Sequence, residues 1–190
     1  MKFLLFSLLA LSASGCAEVG DTQPPAYVSE APLPEGWPLP GPYDKVAEKK
    51  YPGYRAAFTT ESSSTVPFFT LFAHIKRNDI PMTAPVELSM TQKDGSLKQS
   101  SMAFLYQNEK VGRTGADGTK VEVRDVPAFK ALAYTWQGND SKENIAKAKA
   151  ALDAELRETK RTAKEFRMLG YNGPGTPKSK RTWELQAIVD

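Results

Sequence analysis

The chain has 190 residues, 41% of them hydrophobic and 25% charged, with a formal net charge of +3. That is one ordinary globular domain with some chain left for targeting, and the small net charge argues against a nucleic-acid partner. A single Cys and a single His exclude internal disulfides, Cys₄ or multi-His metal centres, and any nucleophile–His site not built on His74.

The chain opens with Lys2, an apolar run from Phe3 to Leu11, and the small residues Ser12 to Gly15. A charged start, a short apolar core and a small-residue exit make residues 1–15 a secretory signal peptide, since the run is far shorter than the ~20 residues a membrane span needs. Cys16 follows directly, and the segment resembles a bacterial lipobox, although Ala13 stands where Leu is preferred. Two outcomes follow: Cys16 carries a lipid, giving an envelope lipoprotein of the outer membrane facing the periplasm, or the chain is a soluble periplasmic protein. Half of the 14 prolines (Pro24, Pro25, Pro32, Pro34, Pro38, Pro40 and Pro42) then fall before residue 43. Proline lacks an N–H and fixes φ, so residues 16–42 are expected to form an extended linker, with Trp37 and Tyr43 placed to dock its end.

The remainder, residues 43–190, contains an echo at a spacing of 75 residues. Val46 to Ala56 aligns with Val121 to Ala131, matching Val, Pro52 with Pro127, Tyr54 with Phe129, and Arg55 with Lys130. Each copy continues as an alternating strand, through Phe58 and Trp136 respectively, and then runs into a helix. In the first half Ser62 to Thr65 offer caps, Pro67 suits an opening turn, and Phe68, Leu71, Phe72 and Ile75 form an apolar stripe. Met82–Met90 and Ser101–Gln107 read as strands. In the second half Asp140 with Glu143 suggests a cap, and Ile145, Ala148, Leu152 and Leu156 form a narrow stripe. Phe166–Gly170 and Thr182–Val189 read as the last strands. The expectation is one α+β domain, a pseudo-twofold repeat of βαββ halves closing on each other with helices outside.

Phe68 to Asp79, followed by Ile80-Pro81-Met82-Thr83-Ala84-Pro85-Val86, resembles the SOUL haem-binding family, as does Gly170-Tyr171-Asn172-Gly173-Pro174 with Lys180-Arg181 after it. The resemblance implies a distorted β-barrel flanked by two helices. It also implies a monomeric, non-enzymatic binder of haem or a related tetrapyrrole, held in an apolar cleft beside the first helix. Phe68, Leu71, Phe72, His74, Ile75 and Met82 would line the ring, and Lys180 and Arg181 would meet its propionates. Ala73 stands where a basic residue is expected, and Gly173-Pro174 replaces a Pro-Pro pair.

His74 has two readings: an axial ligand to haem iron, or a half-exposed structural residue on the shoulder of the stripe. Two other classes remain beside the binding module. One is an envelope structural lipoprotein with a decayed cleft; the other is a hydrolase using a cleft carboxylate, Glu184 or Glu122.

Overall fold

The computed structural model describes residues 26–60 and 66–190. The signal peptide, Cys16, Pro24, Pro25 and the expected caps Ser62 to Thr65 lie outside the described residues.

The echo segments do form strands, but each is split at its proline. Val46–Tyr51 (β1) and Tyr54–Thr59 (β2) flank Pro52-Gly53, and Val121–Val126 (β6) and Phe129–Gln137 (β7) flank Pro127-Ala128. A proline cannot donate to a ladder, so it ends one strand and the chain turns before the next. The copies are joined crosswise: β1 pairs with β7, Tyr51 opposite Phe129, and β2 with β6, Tyr54 opposite Val126. Each half therefore contributes two strands before its helix, where the sequence suggested one.

The other strands are Val86–Lys93 (β3), Ser96–Leu105 (β4), Gly115–Asp117 (β5), Glu165–Gly170 (β8) and Thr182–Val189 (β9). Among the described residues all nine strands join one antiparallel sheet in the order β1-β7-β9-β8-β3-β4-β2-β6-β5. The expected barrel is corrected here: β1 and β5 stand at opposite ends of the sheet, which stays open. Helices pack on one face of the sheet and residues of the segment before β1 on part of the other.

One face carries the helices. Pro67–Arg77 (α1) opens on Pro67 and closes at Asn78, whose Nδ2 donates to the His74 carbonyl at 2.9 Å. Lys142–Glu158 (α2) is capped by Ser141, whose hydroxyl accepts from the Asn144 N–H at 3.3 Å, so the cap sits one residue after Asp140. Its Ala148, Leu152 and Leu156 are buried against Leu132, Tyr134, Met168 and Leu185 of the sheet, as the narrow stripe required. Leu71 and Ile75 of α1 pack on Ala57, Phe104 and Val123.

The other face is covered in part by chain read from sequence as a linker. Tyr27, Leu33 and Trp37 of residues 26–42 pack on it, with Trp37 6% exposed between Tyr51, Tyr54 and Tyr171, while Glu30 and Ala31 reach the edge of the cleft on the helical side. The Glu35 N–H donates to the Gln107 carbonyl, and the Pro32 carbonyl accepts from the Ala84 N–H, at 2.8 and 3.0 Å. Proline does prevent this segment from joining the ladder, as reasoned. It does not prevent one large aromatic from anchoring it to the sheet, since a buried indole contributes more apolar surface than most side chains.

Candidate functional site

The alternation of side chains along the strands builds the floor of a cleft on the helical face. Val86 lies opposite Gly170, and Gly170 opposite Trp183, in one row across β3, β8 and β9. Gly170 leaves the row without a side chain at its centre, and the Trp183 indole occupies that space. A Cβ at position 170 would stand 2.8 Å from the ring. The Trp183 N–H donates to the Gly138 carbonyl at 3.2 Å, which fixes the ring in place.

The walls come from four further segments. Phe68 and Phe69 of α1, Met82 to Ala84, Leu88 and Met102 of the sheet, and the loop Tyr171 to Pro174 enclose about 720 Å³. Phe68 is fixed edge-on against Phe104 at a centroid distance of 5.1 Å. Such a volume, mostly apolar with a few polar groups at its rim, is that of a small-molecule cleft. Arg181 supplies the rim cation. Its Nε donates to the Thr176 carbonyl at 2.9 Å and a terminal nitrogen to the Pro174 carbonyl at 3.2 Å, so the guanidinium braces the loop that borders the cleft. Glu30, from the segment that precedes β1, closes the same loop. Its carboxylate accepts from the Thr176 hydroxyl and from the Gly173 N–H, the latter at 2.6 Å, and these bonds hold its pKa below the usual carboxylate range.

The residues expected at the site divide. Phe68, Met82 and Arg181 line the cleft. Leu71 and Ile75 are buried in the core beneath α1, Phe72 is 38% exposed, and Lys180 is exposed on the turn Lys178–Lys180. The stripe was read one step too far round the helix: the inward face runs through Phe68, Leu71, His74 and Ile75, leaving Phe72 outside.

His74 is the largest correction. It is buried, 3% exposed, with both ring nitrogens engaged: Nδ1 with the Asp117 carboxylate, and Nε2 with the Tyr106 hydroxyl at 2.7 Å. With Asp117 as acceptor, Nδ1 carries the proton and Nε2 accepts from Tyr106. Arg77 donates to the same Asp117 oxygen at 2.5 Å. The imidazole thus clamps α1 to β4 and β5 and has no free nitrogen to offer iron. Burial pushes the Tyr106 hydroxyl up to about 12.

The carboxylates proposed for hydrolysis lie on the sheet face away from the cleft. Glu184 is fully buried and accepts from Lys49, Tyr51, Thr135 and Gln186 at 2.5 to 2.9 Å. Glu122 is exposed beside Arg124, 3.7 Å away. Among the described residues, the carboxyl whose pKa burial raises is Glu87, which sequence reasoning missed. It accepts from the Tyr54 hydroxyl at 2.5 Å, and Arg167 donates to that same hydroxyl oxygen at 2.5 Å. Also missed were Val86, Leu88, Met102, Gly170 and Trp183 as cleft residues. The only signal for them was strand alternation, Val86 with Leu88 and Gly170 with Met168, which places each pair on one face.

Against solved structures the fold is a familiar one. A chain described as a hydrolase from Listeria innocua superposes with a TM-score of 0.58 at 10% identity, covering 79% of this chain and 94% of the other. The EcmrR C-terminal domain gives 0.56 at 16% identity, covering 77% and 97%. An EcmrR chain in a DNA complex gives 0.58 at 12%, and there this chain covers 77% of itself but only 57% of the other. Likenesses at such identities carry the fold alone. Among curated proteins no sequence match is significant. The family model of the SOUL heme-binding protein matches residues 42–187, most of the chain and all of the cleft except what Glu30 and Ala31 add. The chain belongs to the SOUL heme-binding protein family.

Proposed function

We propose that this protein binds haem or a related tetrapyrrole in the cleft between α1 and the β3-β8-β9 floor, as a monomeric, non-enzymatic module. One observation carries the reading: Trp183 over Gly170 and the Phe68 ring line one cleft of about 720 Å³, with Arg181 in the same lining. A flat, mostly apolar ring with carboxylates on one edge needs an apolar slot and a cation at its mouth. Burial of the ring at ~25 cal/mol per Å² supplies most of the attraction, and Arg181 orients it. Met82 and Met102 bring the only thioethers in the lining, and His74 has no part in holding iron.

The cleft's size favours a ligand over the alternative of a structural lipoprotein with a decayed site. The four donors on Glu184 and the exposure of Glu122 give no support to the hydrolase reading. We further propose export and anchoring through a lipid on Cys16, on the envelope and facing the periplasm, for which the support is the apolar run ending at Gly15. The two halves are proposed to be pseudo-twofold repeats, supported by the 75-residue echo and by the strand order, which, leaving out β5, reads the same backwards when β1, β2, β3 and β4 are exchanged with β6, β7, β8 and β9.

An absorbance titration with haem tests the binding reading. Haem should give a saturable Soret shift, and Arg181→Ala should weaken the free-acid porphyrin several-fold while leaving its dimethyl ester unchanged. Absence of any Soret shift refutes it.

A further inference from the structure

The face away from the helices holds a second aromatic site, and the chain fills it with its own residue. Small side chains border it: Ala56 of β2, Ala103 of β4 and Ala131 of β7 are fully buried in the same cluster on that face. Such small side chains leave room above the sheet, and the Trp37 indole packs among them. Tyr51 packs against that indole at a centroid distance of 5.0 Å, and Tyr54 stands perpendicular to it at 5.3 Å. The indole N–H donates to the Tyr171 hydroxyl at 3.4 Å, at the long end of the hydrogen-bond range.

Two features separate Trp37 from an ordinary core residue. The family match begins at residue 42, so the hollow belongs to the family domain while its occupant comes from outside it. The segment carrying Trp37 also sits on the sheet without joining it. Besides the two backbone bonds of Glu35 and Pro32, it is held by scattered single bonds to the domain: the Leu39, Val28 and Ala26 carbonyls accept from Lys49, Asn172 and Gln137, the Gly41 N–H donates to the Thr135 hydroxyl, and the Glu30 carboxylate accepts from the Gly173 N–H. With four prolines between residues 32 and 40 it cannot form a ladder. The hollow meanwhile has unmet polar capacity. Gln186 is fully buried on the same face, gives its amide N–H to Glu184 at 2.9 Å, and its Oε1 has no hydrogen-bond partner among the described residues.

We propose that residues 26–42 form a displaceable strap, with Trp37 as an internal ligand of a second site that takes flat aromatic molecules bearing an N–H donor. The indole shows the shape the site accepts. The Tyr171 hydroxyl and the unpartnered Gln186 oxygen are the acceptors for the donor. A net cationic ligand is not required, because Lys49 already neutralises Glu184 at 2.5 Å and Arg167 lies 3.6 Å from Glu87.

The test uses the full chain and indole as probe. In the wild type, amide hydrogen exchange should open residues 26–42 at least tenfold faster than β8 and β9, and excess indole should speed that opening without altering the sheet. In Trp37→Ala, indole should raise the melting temperature by several degrees. Naphthalene, of like shape but without the N–H, should raise it less, and Tyr171→Phe in that background should shrink the difference. The proposal is overturned if the strap exchanges only with global unfolding of the sheet. It is equally overturned if a folded Trp37→Ala chain is indifferent to indole. Should that variant not fold, the exchange arm decides alone.

Discussion

Gly170 and Trp183 face each other across β8 and β9, and the indole of Trp183 fills the space a side chain at 170 would need, 2.8 Å from where its Cβ would stand. Because the ring is also held by the Gly138 carbonyl, it has little room to retreat. Gly170→Ala should therefore destabilise the domain by ~1–3 kcal/mol, the usual cost of overpacking, and lift the cleft floor. Urea unfolding measures the first effect. A variant with wild-type stability would show that the ring moves freely.

Trp37 predicts a loss of a different kind. Removing a buried indole leaves a cavity, and Trp37→Ala should cost ~3–5 kcal/mol by chemical denaturation. A change under 1 kcal/mol would return residues 26–42 to the role of a linker.

The clamp around His74 predicts a pH dependence. The His74 ring, and then Arg77, hold the Asp117 carboxyl below the usual aspartate range. A depressed carboxyl contributes stability that is complete above its unfolded value and is lost as pH falls through its folded one. Asp117→Asn should thus be less stable than wild type at pH 7 by roughly 1–2 kcal/mol. The gap should narrow once the pH falls below about 4. Equal stabilities across that range would remove Asp117 from the account of how α1 is held.

Glu87 predicts the opposite slope. Burial raises its pKa, with Arg167 opposing the shift. Stability tied to a raised carboxyl is complete below its unfolded value and declines as pH rises through the folded one. Glu87→Gln, which keeps an acceptor for Tyr54, should gain on the wild type between pH ~4 and neutrality. Parallel urea midpoints for the two proteins would contradict this.

Much of the fold was legible because its signals are local. Strand structure was visible in the Val46 and Val121 echo, though not its split at Pro52 and Pro127 or its crosswise pairing; the second helix was visible in Ala148, Leu152 and Leu156, and the opening of α1 in Pro67. What failed depended on partners distant in sequence. His74 could be placed on a helix from its neighbours, but its burial is decided by Asp117 and Tyr106, 43 and 32 residues away. Composition correctly kept residues 26–42 out of the sheet, yet it could not show that Ala56, Ala103 and Ala131, from three separate strands, would leave room for Trp37. The open sheet was likewise hidden, since closure depends on whether β1 meets β5. The cleft was half read: the helix supplied Phe68, and the motif supplied Met82 and Arg181. Its floor, Trp183 over Gly170, exists only once β8 and β9 are in register.

The placement of the ligand is tested most directly by two phenylalanines one turn apart on α1. Phe68 lines the cleft, whereas Phe72 is turned outward and is 38% exposed. In haem titrations followed at the Soret band, Phe68→Ala should weaken binding roughly tenfold or more, from the lost burial of one ring face. Phe72→Ala, checked for folding in the same way, should bind as the wild type does. Equal losses from both variants, or a larger loss from Phe72→Ala, would contradict the assignment of haem to the cleft over Trp183.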